Sequence, residues 1–526
     1  MNFKKYQVLF LIGMYLATFV PCVVALPDEP FYPTPKFSTD DSVPVVSCTD
    51  VVTNVDELKA KLTLTMPKGY TLCLAPGTYR DIKITYGGSG TPEQPITLAA
   101  QEPGTALITG NVNVRMAGSH VILQGLVFRG GSSIGDLIGT RSDKIMCNYC
   151  RITDISIINF DYKNPNKSKW IILFGQHNRV DHSWFSGKLN LGTLLMVDRR
   201  QPQENYAQID HNYFGYRPAY GGKRYPDAKD SDLEIIRIGS SLHYTKDSFS
   251  KVEYNLFENI KAETEIISVK SSHNIVHGNT VRGCYGLISN RHGSHSIYSN
   301  NFIFGDGYPF AGGIRIIDSD HIVVNNYIER VGYAGGHQFG GIVLLSSLDQ
   351  PDRNEDYKQV ENITIAHNTL VNTVNSIIVD GSKHPNPPRN LTFLNNIVAG
   401  AEGAVLTHTR RGLPKGSVFA GNFFHGDRLA DSIAISEIEG VSYSDAKLLK
   451  SRDGLYRPSS TSRDMLTPVE INDPIVKALI GVDMDGQLRP AKTFSGADEV
   501  SIEPVGYFPI EKSMVGPRQY KPDALK

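Results

Sequence analysis

The sequence predicts an all-β fold, a parallel β-helix in which each coil of short strands stacks on the next. Two observations predict it. Most of the chain consists of short apolar segments separated by Gly, Asn, Asp and Ser, which is typical of strands joined by turns. Within it, an asparagine followed by two mostly apolar residues recurs at Asn212, Asn255, Asn279, Asn301, Asn326, Asn368, Asn396 and Asn422.

The spacing of these asparagines gives the length of one coil. Successive gaps are 43, 24, 22, 25, 42, 28 and 26 residues, and the two long gaps are close to twice the short ones. One coil therefore takes about 22–28 residues, and two coils carry insertions or lack the asparagine. Leucine-rich repeats have a similar period, but the sequence has no matching ladder of leucines. Because stacked amides bond to each other, we expect a continuous asparagine ladder in the turns.

The first residues predict export. Residues 1–25 combine two lysines with an apolar run and end in Val23-Val24-Ala25, a small-residue cleavage site, so we expect a signal peptide. An uncleaved N-terminal membrane anchor is the alternative. The protein is expected to be secreted, either extracellular or periplasmic. A formal net charge of −1 gives no general attraction to nucleic acid or to a membrane, and we expect a monomer.

The remaining chain divides into three parts. Residues 26–47 are a Pro-rich lead-in, residues 48–440 form the β-helix, and residues 441–526 pack across its far end or along its side. An open end of a solenoid needs a cover. Residues 53–62 predict a short amphipathic helix, capped by Asn54 or the residue before it, and we expect this helix to cover the first coil.

Five cysteines follow the predicted signal peptide, so at least one of them stays unpaired. Cys48 and Cys73 can close the N-terminal region as a disulfide. Cys147 and Cys150 have the spacing of half a zinc site. No second pair with this spacing follows, which disfavours zinc.

The stretch ETEIISVK at 263–270 places two carboxylates and a lysine inside a predicted buried strand. Glu263 and Glu265 are two residues apart, so on a strand they share a face, where they repel each other unless a cation lies against them. Calcium fits because it takes hard oxygen ligands in irregular geometry. Lys270 has the opposite parity to Glu265, so we expect the chain to turn between them, as at a β-helix corner.

Three cations recur at one position of successive coils. Lys270, Arg291 and Arg315 precede the ladder asparagine of their coils by nine, ten and eleven residues. Stacked strands lie about 4.8 Å apart, so we expect these cations to form one column that holds an anion. A solvated basic edge is the alternative. Further cations expected to line a groove for a polyanion are Arg217, Lys223, Arg224 and Lys229.

These groups suit β-elimination from a polysaccharide of uronic acids. The proton on C5 of a uronate is only weakly acidic, and a cation on the adjoining carboxylate stabilises the charge that develops as the proton leaves. A neutral Lys270 can take this proton, and Arg291 or His292 can stabilise or protonate the leaving oxygen.

The same residues resemble a known family. ETEIISVKS at 263–271, RHG at 291–293 and RIGSS at 237–241 are similar to polysaccharide lyase family 6, which holds alginate lyases and chondroitinase B. The resemblance extends from about residue 48 to the end and includes DMDGQLRPAKTFSGADE near the C-terminus. It implies that the β-helix is right-handed.

The resemblance also implies roles for individual residues. Lys270 is expected to be the base and Arg291 the acid, and calcium is expected at Glu263 and Glu265. The residues expected to bind substrate are His292, Arg315 and Arg237.

One position departs from the family. The third calcium ligand that the resemblance implies is an asparagine six residues before Arg237, and this chain has Ser231 there. A serine hydroxyl is a poorer ligand than an amide oxygen. Asp230 or Asp232 can substitute for it, so the expected calcium site consists of Glu263, Glu265, Ser231 and Asp232.

The choice of polymer and of reaction leaves alternatives open. GGIRI at 312–316 and GGIVLL at 340–345 resemble the alginate-cleaving members, so alginate, as for a polymannuronate lyase, is preferred to dermatan sulfate. A glycoside hydrolase needs an acid and a second carboxylate across the bond, and would leave Lys270 and Arg291 unused. A non-catalytic carbohydrate-binding solenoid would bind the polymer and release no product.

Overall fold

The computed structural model describes residues 42–220, 232–336, 338–351, 353–459, 461–462, 466–490, 493–501 and 503–522. The predicted signal peptide and most of the lead-in segment lie outside the described residues. The fold is a single-stranded right-handed parallel β-helix, as the sequence predicts. No helix in the described part of the chain is long and apolar enough to cross a membrane.

The regular coils each contribute one strand to each of three faces. Face 1 consists of Lys83–Ser89, Asn111–Ser119, Ser132–Gly139, Ile171–Leu173, Leu195–Val197, Ile236–Gly239, Glu265–Lys270, Gly286–His292, Ala311–Ile316, Ile342–Leu344, Ile377–Ile378 and Ile397–Thr407. Face 2 is a 14-stranded sheet of Asp50–Val52, Thr71–Leu74, Ile96–Ala100, Val121–Gln124, Arg151–Thr153, Arg179–Asp181, Gln208–Asp210, Lys251–Glu253, Ile275–His277, Ile297–Ser299, Ile322–Val324, Glu361–Ala366, Arg389–Leu394 and Val418–Ala420.

Face 3 consists of Gly77–Arg80, Ala106–Thr109, Val127–Arg129, Ser156–Ile158, Trp184–Ser186, Tyr213–Phe214, Leu256–Glu258, Thr280–Arg282, Phe302–Phe304, Tyr327–Glu329, Thr369–Val371, Asn422–Ala430 and Val441–Tyr443. Faces 1 and 3 join through Ile397–Thr407 into one 27-stranded sheet, which also includes Arg141–Ser142 and Ile145–Asn148. A separate antiparallel pair is formed by Leu449–Lys450 and Tyr456–Arg457.

Stacked apolar side chains fill the interior. On face 1, Ile267 lies opposite Ile288, and Ile288 lies opposite Ile314, so one isoleucine covers the next from coil to coil. All three are at most 1% exposed. Burying one such side chain stabilises the fold by roughly 1.5–3 kcal/mol, so these rows hold neighbouring coils together.

The predicted asparagine ladder is confirmed. It lies in the turn between face 2 and face 3, and each side-chain Nδ2 donates to Oδ1 of the next asparagine at 2.9–3.1 Å, without a break from Asn212 to Asn422. Each backbone N–H donates to the same Oδ1 at 3.0–3.1 Å. The eight side chains are fully or almost fully buried, so the ladder satisfies polar groups that cannot reach water.

The predicted N-terminal helix is also present. It spans Val55–Lys61, and Asn54 caps it by accepting a hydrogen bond from the backbone N–H of Glu57 at 3.0 Å. Leu58 on its inner face is fully buried. A second helix, Pro474–Leu479, was not expected from the sequence; Asp473 caps it. Short 3-10 turns lie at Ser241–His243 and Lys512–Met514.

The C-terminal segment packs along the outside of the solenoid. Tyr507, Ile510 and Val515 pack against Trp184 and Tyr213 of face 3. The second helix instead packs against face 2, in an apolar cluster with several strands of that face. The segment therefore covers apolar outward-facing side chains that the coils leave uncovered.

The cysteines form two disulfides. Cys48 is bonded to Cys73, and Cys147 is bonded to Cys150. The second bond uses the pair whose spacing is that of half a zinc site, so these two sulfurs are not free to bind a metal. Cys284 is free and buried.

We expect Asn301→Ala to destabilise the fold more than an exposed asparagine substitution does. The change removes the acceptor of Asn279 Nδ2 and the donor to Asn326 Oδ1, and each buried group left unpaired costs about 1–3 kcal/mol. Asn354 is exposed, so Asn354→Ala is the control. The urea midpoint should fall clearly for Asn301→Ala only, and equal midpoints would contradict a stabilising ladder.

Candidate active site

The candidate site lies on face 1, where four consecutive strands carry charged side chains. Along this face, Arg237 lies opposite Ser268, Ser268 opposite Ser289, and Ser289 opposite Arg315. Residues that are far apart in the sequence thus occupy one line across four coils. The two end members of this line are arginines, with two serines between them.

The predicted column of Lys270, Arg291 and Arg315 is wrong in register. Lys270 lies opposite His292, because the pairing slips between Val269 and Lys270. A second slip lies between Glu265 and Ile267. Such β-bulges add a residue to one strand and re-aim its side chains. The slip between Glu265 and Ile267 adds a residue to the strand that holds both Glu265 and Lys270, so these two side chains reach one site despite their opposite parity, and no corner is needed between them.

Glu265 is the anion on which the cations converge. Its Oε1 accepts a hydrogen bond from Arg315 Nη2 and lies 3.7 Å from Arg291 Nε. Its Oε2 accepts from Ser268 Oγ and lies 4.0 Å from Lys270 Nζ. Burial alone would raise the pKa of Glu265, but Arg315, Lys270 and Arg291 lower it to about 2. The carboxylate is therefore charged at neutral pH.

Glu234 is a second anion of the site, and the sequence reasoning did not assign it a role. Its Oε1 lies 3.2 Å from Lys270 Nζ and 3.6 Å from Arg237 Nη1, and its Oε2 accepts from Thr193 Oγ1 at 3.0 Å. Burial opposes ionisation, but Lys270 and Arg237 lower the pKa of Glu234. A signal was available, because Glu234 precedes Arg237 of the RIG motif by three residues, just before the strand that bears this motif.

Glu263 differs from the other two glutamates. It is 5% exposed, its Oε2 accepts only a long hydrogen bond from the backbone N–H of Leu233 at 3.4 Å, and among the described residues it makes no ion pair. Burial, and then Glu234 and Glu265, raise the pKa of Glu263 to about 8. A buried carboxylate beside two other carboxylates fits the hard oxygen chemistry that a divalent cation requires.

The other expected calcium ligands give a mixed result. Asp232 accepts hydrogen bonds from Lys167 and Arg237, so two cations already neutralise it. Ser231 and Asp230 lie outside the described residues. Within the described ranges, one group of three acidic residues has carboxylate oxygens that all lie within 4.8 Å of one another. This group is Asp483, Asp485 and Asp498 of the C-terminal segment.

Arg291 is held by an inserted loop. Its guanidinium carbon lies 4.4 Å from the ring centroid of Tyr357, and its Nη2 donates to the backbone carbonyl of Glu355 at 3.0 Å. Its Nη1 lies 2.9 Å from His292 Nε2. Tyr357 belongs to the insertion in the coil between Asn326 and Asn368. The sequence revealed this insertion by its length but not its contact with Arg291.

The expected substrate-binding residues differ in how far their side chains are exposed to solvent. His292 is fully buried, and burial, then Arg291 and Lys270, lower its pKa to about 2, so its ring is neutral. Because an arginine only donates hydrogen bonds, His292 Nε2 accepts from Arg291 Nη1. The side chain of Arg315 is 3% exposed and that of Arg237 is 13% exposed. His292 is thus placed to orient Arg291.

Arg217 does not line a groove, contrary to the expectation. It is 1% exposed and donates to the backbone carbonyls of Gly192 at 2.8 Å and Glu234 at 3.1 Å. Arg217 therefore supports the backbone at Gly192 and the residues just before the strand Ile236–Gly239, behind the carboxylates of the site. The other three cations expected in the groove, Lys223, Arg224 and Lys229, lie outside the described residues.

The chain matches the family model described as Chondroitinase B over residues 52–465. No curated protein matches it at a significant level. Among solved structures, the alginate lyase AlyGC of polysaccharide lyase family 6 is 28% identical, with a TM-score of 0.71 over 90% of this chain. The match covers 59% of AlyGC, so the chain spans well under two thirds of that protein.

Two shorter proteins match over most of their own length. A mannuronic acid-specific polysaccharide lyase of family 6 from the human gut microbiota is 28% identical, with a TM-score of 0.64, over 76% of this chain and 91% of the lyase. A family 6 alginate lyase solved with a trisaccharide is 25% identical, with a TM-score of 0.66, over 78% and 91% of the two chains.

Proposed function

Because the chain belongs to the chondroitinase B family, polysaccharide lyase family 6, we propose that it cleaves a uronic-acid polymer by β-elimination and that its substrate is alginate. The observation that carries this proposal is the group of three cations, Lys270, Arg291 and Arg315, around the buried carboxylate of Glu265. A glycoside hydrolase uses two carboxyl groups, so these three cations would have no catalytic role in hydrolysis. The alginate lyases among the similar structures support the choice of polymer.

The proposed reaction assigns one step to each group. Lys270 Nζ leaves its contact with Glu234, gives one proton to solvent and, once neutral, uses its lone pair to remove the proton from C5 of the uronate. The electron pair of that C–H bond forms the C4–C5 double bond as the C4–O bond breaks. The leaving oxygen takes a proton from solvent or from Arg291, whose guanidinium stabilises the charge on that oxygen. Each catalytic cycle thus yields one new reducing end and one unsaturated uronate at the new non-reducing end.

Calcium is the proposed cofactor, with Glu263 and Glu265 as ligands and Asp232 and Ser231 completing the site. Support comes from Glu263, a buried carboxylate with no ion pair among the described residues. When bound, the ion would supply positive charge next to the substrate carboxylate. Arg237 and Arg315 already bring positive charge to the glutamates of the site.

We expect purified protein to release unsaturated products, detected by ultraviolet absorbance, from alginate and polymannuronate. Lys270→Ala should lower kcat by about 100-fold or more, as loss of a general base does, while leaving circular dichroism unchanged. Polyguluronate and dermatan sulfate complete the panel of polymers. Release of product from dermatan sulfate alone would show that alginate is not the substrate. Near-normal turnover by Lys270→Ala would show that Lys270 is not the base.

We expect chelation to lower activity and added calcium to restore it, because the proposed ion supplies positive charge next to the substrate carboxylate. Glu263→Gln keeps the shape of the side chain and removes the carboxylate that would bind the ion, so this variant should bind less calcium per chain by elemental analysis. Glu361→Gln alters a half-buried glutamate on face 2 that pairs with Arg389, and it is the control. Full activity with no metal bound would contradict the calcium role, and cationic side chains such as Arg237 and Arg315 would then neutralise the substrate carboxylate.

We expect Tyr357→Ala to lower kcat by about 2- to 30-fold with little change in KM, because a cation–π contact contributes about 0.5–2 kcal/mol. Tyr357→Phe keeps the ring against Arg291 and should stay close to the native rate. Steady-state kinetics on alginate measure both. Equal losses in the two variants would mean that the ring does not position Arg291.

A further inference from the structure

A second basic pocket lies further along face 1. It has a volume of about 320 Å³, and its charged and imidazole side chains are Asp380, Lys383, His384, His408, Arg410 and Arg411. Nothing in the reaction described above uses it.

The strand register places this pocket on the same edge of the solenoid as the candidate active site. Arg315 lies opposite Val343, Val343 opposite Ile378, and Ile378 opposite Thr407. Three coils thus separate Arg315 from Thr407, or about 14 Å at the usual strand spacing. Pocket residue His408 directly follows a strand of face 1, and Asp380 lies two residues after the end of another. Lys270 and His292 are the last residues of their strands.

The pocket carries uncompensated positive charge. Its one carboxylate, Asp380, is neutralised by Arg411, whose Nε and Nη2 donate to it at 2.7 and 2.6 Å. Lys383 and Arg410 are exposed, and within the described residues neither makes an ion pair or a side-chain hydrogen bond. Two cations without counter-ions in one concave site favour an anionic ligand.

Tyr357 lies between the pocket and the candidate active site. The ring of His384 packs edge-on against Tyr357, with centroids 5.3 Å apart. The same ring also contacts Arg291, whose guanidinium carbon lies 4.4 Å from the ring centroid. A polymer held at Arg291 therefore passes next to this pocket if it runs along the axis of the solenoid.

We propose that this pocket is a distal subsite that binds the carboxylate of a second uronate of the same polymer, through Lys383 and Arg410. The inference rests on the proposed function. A polyuronate carries one carboxylate on every ring, so a chain several rings long that reacts at Lys270 presents another carboxylate at the pocket, whose strands lie four and five coils from the strand of Lys270. Short oligomers do not reach from one site to the other.

The test compares long and short substrates in a double variant, Lys383→Ala with Arg410→Ala. We expect KM for long polymannuronate or alginate to rise about tenfold, since charge-assisted contacts are lost, with kcat unchanged. Kinetics on a trimer should stay at the native values. The matched control, Arg80→Ala with Lys144→Ala, removes two exposed cations on early coils and should leave KM for the polymer unchanged.

Binding measurements separate this inference from the proposed function. Calorimetric titration of long alginate into Lys270→Ala protein, with and without the double variant, measures affinity without turnover. An affinity loss confined to the pocket variant supports the subsite even if no polymer is cleaved. Equal losses in the pocket and control variants, an equal loss on the trimer, or no binding of polymer at all would overturn it.

Discussion

The stacking of coils in register is the constraint on which the rest of this structure depends. Each buried asparagine from Asn212 to Asn422 fixes the turn of its coil against the next, so that positions on face 1 stay aligned over many coils. The line from Arg237 through Ser268 and Ser289 to Arg315 exists only because that register is kept. A slip of one residue would reverse which side chains point outward, and the charged cluster would be lost.

Within that frame, the electrostatics of the site are arranged around buried carboxylates. Glu265 and Glu234 are held charged by arginines and Lys270, whereas Glu263 has a pKa raised to about 8 by burial and by its acidic neighbours. Isolated buried charges are costly, and pairing offsets that cost. The site therefore holds Lys270 in place before any polymer arrives, while one carboxylate remains without a cation partner among the described residues.

The repeat, the ladder and the capping helix were predictable because each depends on local spacing in the sequence. The approach of Lys270 to Glu265 was predicted, but its cause was not, because the β-bulge that brings them together follows from packing between coils and leaves no pattern in the chain. Tyr357 was missed for a related reason, since it reaches Arg291 from an inserted loop of irregular length. The sequence predicts Arg217 as a groove cation, because its burial beneath the carboxylates becomes visible only in the folded structure.

The central claim is that the cluster on face 1 removes the C5 proton of a uronate. Polymannuronate labelled with deuterium at C5 tests this most directly, with products analysed by mass spectrometry. The account predicts that every newly formed non-reducing end lacks the deuterium and carries a double bond. Products that retain the deuterium and gain the mass of water would show hydrolysis and would contradict it.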